Sequence, residues 1–138
     1  MNTEKTKEKK VILSTLWIFV TFNYLYCDIV GLMDSQLLKQ YLSGKVNGLD
    51  MNQNFLFTGA LLMEIPIVMI LLSRILKYSS NRRVNIIAGA IMTIVQLASL
   101  LAGTPTLYYI YFSIIEIACT LFIAWYAIKW KETKAINN

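Results

Sequence analysis

Histidine is absent from all 138 residues. Its absence removes the commonest ligand of zinc and haem and the commonest proton shuttle near neutral pH. Cysteine is scarce: Cys27 and Cys119 stand far apart and make no CxxC pair. They read as small apolar residues packed between helices. No cofactor and no metal is expected. Charge is also scarce. Only 15% of residues are charged and 57% are hydrophobic, with a mean hydropathy of +0.54. A soluble domain of this size carries about 25% charged residues. The composition therefore points to one polytopic membrane domain, residues 1–138. The net charge of +5 does not indicate a nucleic-acid partner. The basic residues flank apolar runs, as membrane topology requires, and no reader motif or basic face accompanies them.

The chain is organised around Phe57–Tyr78, FTGALLMEIPIVMILLSRILKY. This run is long and apolar enough to cross a bilayer, yet Glu64 sits inside it. A carboxylate at membrane depth costs several kcal/mol unless it is neutralised, paired or hydrated. Pro66 has no N–H to give the carbonyl of Leu62, so a kink is expected beside the acid. Three further spans accompany this one. The four are expected at about 11–33, 55–78, 84–103 and 106–129, as an antiparallel four-helix bundle of the all-α membrane class.

Residues 1–10 read as a solvated basic tail. The apolar run after them is about twenty residues long and has no small-residue cleavage site, so it reads as a retained span, not a signal peptide. In span one, Ser14, Trp17, Thr21, Tyr24, Asp28 and Gly31 recur at spacings of three and four and share one helix face. Asp34 can cap a short amphipathic helix, SQLLKQYLS, closed by Gly44 and expected to lie in the membrane interface as a lid or float. Lys45–Leu49 reads as a turn-like linker, and Asp50 with Gln53 as a capping box for span two. KYSSNRR, 77–83, reads as a tight basic turn. Span three carries Asn85, Gly89, Thr93, Gln96, Ser99 and Gly103 on one stripe, suited to close helix approach and to a cross-helix hydrogen bond from Gln96. Thr104 and Pro105 suit the start of span four, which holds Ser113, Glu116 and Thr120 on one side.

Lys and Arg concentrate before span one, between spans two and three, and after span four. The positive-inside rule then places both termini in the cytoplasm, in the cytoplasmic membrane of a bacterium. At 1.5 Å per residue, Glu64 and Glu116 each lie roughly 13 Å below the outer surface, with Gln96 and Tyr24 about 10 Å down. One polar layer is expected inside the outer half of the bundle: Tyr24, Glu64, Gln96 and Glu116, with Asp28 above it. Two carboxyls in one low-dielectric layer do not both ionise cheaply, so one is expected to keep its proton. The pair would share a proton, bind a cation or clasp a ligand's donors. Alternatively, both acids are neutral and hold the helices in register.

STLWIFVTFNYLYCDI in span one, LLMEIPIVMILLSRILKY with NRRVNIIAGAI, and IEIACTLFIAWYAIKW in span four together resemble the DoxX-like small four-helix bacterial membrane proteins. The resemblance covers roughly residues 11–131. It is greatest to a related family of unknown function. It implies the bundle fold and little about activity, since some members of the broader group are linked to quinone-coupled sulfur oxidation and to redox homeostasis. No catalytic motif carries over. A lesser likeness is to EXPERA-type sterol-binding proteins and to small multidrug exporters, which also keep acids among four helices.

Four functions stay open on the sequence: a binding protein for a small amphipathic or cationic molecule or a quinone, a proton-coupled transporter, an accessory subunit of a membrane redox complex, and a lipid or quinone enzyme. A homo-oligomer is compatible with the small-residue stripes. The candidate ligand-binding residues are Glu64, Glu116, Gln96, Tyr24 and Asp28. No nucleophile or cofactor motif supports the enzyme.

Overall fold

A computed structural model describes residues 2–131, with side chains from residue 4 onward. It consists of four long helices, a short one and a small hairpin. These are α1 (Asn2–Met33), α2 (Ser35–Leu42), β1 (Lys45–Val46), β2 (Leu49–Asp50), α3 (Gln53–Ile75), α4 (Tyr78–Leu101) and α5 (Leu107–Lys129). The four long helices are each long and apolar enough to cross a membrane. The protein is an all-α multi-pass membrane protein, with a short helix between the first two spans.

The helices pack around one core. α1 lies between α3 and α5, and α4 pairs along α5. Of the four neighbouring pairs of long helices α3 and α4 touch least, and their side-chain hydrogen bonds run through Ser73 beside the two-residue connection at 76–77. Leu13, Trp17, Val20, Met69, Met92 and Ile123 form the buried centre. The tightest crossing is at Gly89. A Cβ there would lie 2.9 Å from the Thr120 carbonyl oxygen, so only glycine lets the α4 and α5 backbones meet at that point.

Several boundaries differ from the sequence reading. The basic tail continues α1 back to Asn2, and Lys9 sits 5.4 Å from the Tyr126 ring centroid. The basic turn is mostly helix: α4 begins at Tyr78, six residues before Val84, and Asn81 is fully buried. Asp34 does cap α2, its Oδ1 accepting from the Gln36 and Leu37 N–H groups at 2.9 and 3.2 Å. Asp50 does not cap α3. Asn52 does, accepting from the Phe55 N–H at 2.9 Å, while Asp50 pairs with Lys45 across the hairpin. The N-cap of α5 is Thr106, not Thr104, and it makes no side-chain cap bond.

The linker at 45–50 is an antiparallel hairpin with Lys45 opposite Asp50 and Val46 opposite Leu49. Asn47 and Gly48 form its turn with φ of +50° and +80°. Positive φ at both central residues gives a two-residue turn whose twist matches the strands, and Asn-Gly is the pair that tolerates it best.

Candidate functional site

The polar stripes of α4 and α5 meet as a ladder. At the end of the bundle nearest α2 Ser99 and Tyr109 share a hydrogen bond of 2.5 Å. One turn deeper the Gln96 amide donates to Ser113 Oγ at 2.8 Å. Deeper still Thr93 and Thr120 pair at 2.7 Å, and each hydroxyl also reaches a carbonyl one turn back in its own helix. Tyr109, Ser113, Glu116 and Thr120 follow one another at spacings of four, three and four, so all face the same contact.

Glu116 is the member of that face left without a rung. It is 1% exposed, and Tyr24 on α1 is 5% exposed. Neither Glu116 carboxyl oxygen nor the Tyr24 hydroxyl has a hydrogen-bond partner among the described residues. The two are within electrostatic reach of each other, and Asp28 also lies within reach of Glu116. Buried polar groups are nearly always satisfied. An acid and a phenol left open in the core, within electrostatic reach of each other, are the exception here.

Above the ladder is a cavity of about 410 Å³ under α2 and the hairpin. Asp28, Ser99 and Tyr109 reach it from the bundle side, and Gln40, Tyr41 and Asn47 from the α2 side. The short helix thus roofs this end of the bundle. Beneath the Thr93–Thr120 pair the core becomes apolar at Met92, Ala88 and Ile123, all buried.

Glu64 does not join this site. The bundle-facing side of α3 runs through Leu62, Pro66, Met69 and Ser73. Glu64 is two residues from Leu62 and from Pro66, about 200° around the helix, and is exposed. The expectation that the two glutamates face each other inside one chain is therefore not met. The expected common depth does hold. Ser14 Oγ donates to the Ile70 carbonyl, and Cys119 Sγ approaches the Leu16 carbonyl. Counting back along the antiparallel helices puts both acids level with Phe19 and Val20 of α1. Tyr24, Gln96 and Glu116 are brought together in the core, with Asp28 above them at the cavity.

A second polar cluster, at the opposite end, was only partly legible. Trp17 Nε1 donates to Asn85 Oδ1 at 2.7 Å, and Ser73 Oγ donates to the same oxygen at 3.2 Å. The Asn85 amide donates to Asn81 Oδ1 at 2.7 Å, and the Asn81 amide to the Ser73 carbonyl at 2.7 Å. Trp17 and Asn85 stand in the sequence stripes. Asn81 does not, because the basic residues around it mark a turn.

Residues 2–137 match the model of a family described as a family of unknown function (DUF6326). No curated protein and no solved structure matches the chain.

Proposed function

We propose that this chain, which belongs to the DUF6326 family of unknown function and takes no activity from that membership, binds one small amphipathic molecule at Glu116 and Tyr24. The observation that carries the reading is the pair of open groups in a closed core. An acid left unpartnered at that depth costs several kcal/mol. A ligand head with a cation or hydrogen-bond donors would offset it, and the Tyr24 hydroxyl would take or give a second bond. The cavity above, with Asp28 at its edge, offers an approach from the outer side. Gln96 is oriented by its bond to Ser113, and its carbonyl oxygen would accept from the ligand.

Binding is favoured over transport by the apolar block below Thr120. Met92, Ala88 and Ile123 close the route to the inner side, whereas a carrier needs access from both. Kinship with the DoxX-like proteins belongs to the same proposal, as do both termini in the cytoplasm and a place in a bacterial cytoplasmic membrane. It rests on a glutamate in the second span, a basic segment after it, and a glycine-bearing third span.

The test is native mass spectrometry of the protein released from its own membranes. The wild-type chain is expected to carry a bound small molecule at near-stoichiometric level. Glu116→Gln and Tyr24→Phe are each expected to lower occupancy at least tenfold. A wild-type spectrum without adducts, or adducts indifferent to both substitutions, would overturn the reading. The adduct mass distinguishes an amphipathic amine from a quinone.

A further inference from the structure

Glu64 is the twelfth of the 23 residues of α3, roughly 16 Å from either end. A glutamate side chain is too short to carry its carboxyl from there to water, and hydrocarbon offers it neither donor nor acceptor. Yet it is exposed on the outside of the bundle. Its neighbours on that face are Phe57, Leu61, Val68, Leu71 and Ile75, all exposed. With Glu64 between Leu61 and Val68, the spacings are four, three, four, three and four. That is the repeat of a two-helix seam, with one polar residue at its centre.

The other outward faces differ. Phe22 on α1, Ile94 on α4 and Ile114 on α5 are highly exposed, and none is ionisable, so acyl chains cover them without penalty. α3 is also the least buried of the four spans. Its outer stretch from Asn52 to Leu61 is exposed all round.

We propose that the outward face of α3 packs against α3 of a second copy of this chain, with the two Glu64 carboxyls paired across the interface. A second copy fits better than another partner for two reasons. A carboxylic acid is self-complementary, since its O–H donates and its C=O accepts. The three basic segments also insert every copy the same way round, and a two-fold axis along the membrane normal then brings the two Glu64 residues to the same depth. Ala60, one turn above Glu64 and exposed, leaves room for the helices to approach. A polar residue at one seam position fixes register and copy number. The pairing stands apart from the ligand site, which is in the core of each chain.

The test uses Leu61→Cys and Val68→Cys in native membrane vesicles, oxidised with copper phenanthroline. Phe22→Cys and Ile94→Cys are the controls. The α3 cysteines are expected to give a disulfide-linked species of twice the chain mass, at least fivefold above the controls. Adding Glu64→Leu is expected to cut that yield at least fivefold, while circular dichroism shows the helices intact. Glu64→Gln, whose amide also donates and accepts, is expected to keep the yield within twofold. No α3 product above the controls would overturn the proposal. So would a product containing a different protein, or a dimer indifferent to Glu64→Leu.

Discussion

The two ends of this bundle treat buried polarity in opposite ways. At the end beside the α3–α4 connection Trp17, Ser73, Asn81 and Asn85 are all fully buried, and every side chain has a partner. At the end beneath α2 Glu116 and Tyr24 are almost as deeply buried, and their polar atoms have none among the described residues. Burial alone therefore does not separate a structural polar group from a functional one. Satisfaction does. A closed network returns its desolvation cost within the fold, whereas an open acid needs something from outside it.

The sharpest way to break the comparison is to open the closed end. Asn85→Leu strands the Trp17 and Ser73 donors and removes the amide held by Asn81. With each unsatisfied buried group costing ~1–3 kcal/mol, a loss of about 3 kcal/mol is expected, read as a lower midpoint of thermal unfolding in detergent. Next in size is Gly89→Ala on the α4–α5 crossing. The added methyl would stand 2.9 Å from the Thr120 carbonyl oxygen. Overpacking costs ~1–3 kcal/mol, and alanine's better helix propensity returns ~1. A net loss of up to about 2 kcal/mol is expected on the same assay.

The end beneath α2 should answer with the opposite sign. Glu116→Leu removes an acid with no partner and puts an apolar side chain in its place. Stability of the ligand-free protein is expected to rise by about 1 kcal/mol, while ligand occupancy is lost. A fall comparable to that of Asn85→Leu would mean that Glu116 holds the bundle together, and the contrast between the two ends would disappear.

How much of this was legible follows from what each residue's signal depends on. Four apolar runs separated by basic or turn residues gave the four crossings, because length and hydropathy alone decide them. The stripes on α1, α4 and α5 faced inward as their spacing implied, except at the α2 end, where Asp28, Ser99 and Gly103 are exposed. Glu64 was misplaced because a single acid in an apolar helix has no stripe to set its phase. Cost arguments say that it must turn away from lipid, not which protein surface it turns toward. Pro66, Met69 and Ser73 set the inward face of α3, and that phase becomes visible only once α1 is packed against it. Asn81 was lost to a charge pattern that marks a membrane boundary and not a helix end. The hairpin at 45–50 was missed although Asn47-Gly48 is its signature, because two-residue strands carry no alternation for a periodicity argument to find.

That hairpin gives the smallest effect and a link between the fold and the proposed site. Gly48 has φ near +80°, so Gly48→Val strains the turn by ~1–2 kcal/mol. The hairpin is exposed, and its Lys45–Asp50 pair, with both side chains more than two-thirds exposed, adds little. The strain should therefore be relieved by local opening, with global stability unchanged within ~0.5 kcal/mol. The turn also ties the roof down. The Asn47 N–H donates to Gln40 Oε1 of α2 at 3.0 Å, and the Asn47 amide packs against Gly103 beyond α4. Freeing it should loosen α2 over the cavity. Hydrogen exchange is expected to rise in residues 35–50 alone, and the ligand to leave several-fold faster. Faster exchange in this segment with unchanged ligand release would mean that α2 covers the cavity without gating it.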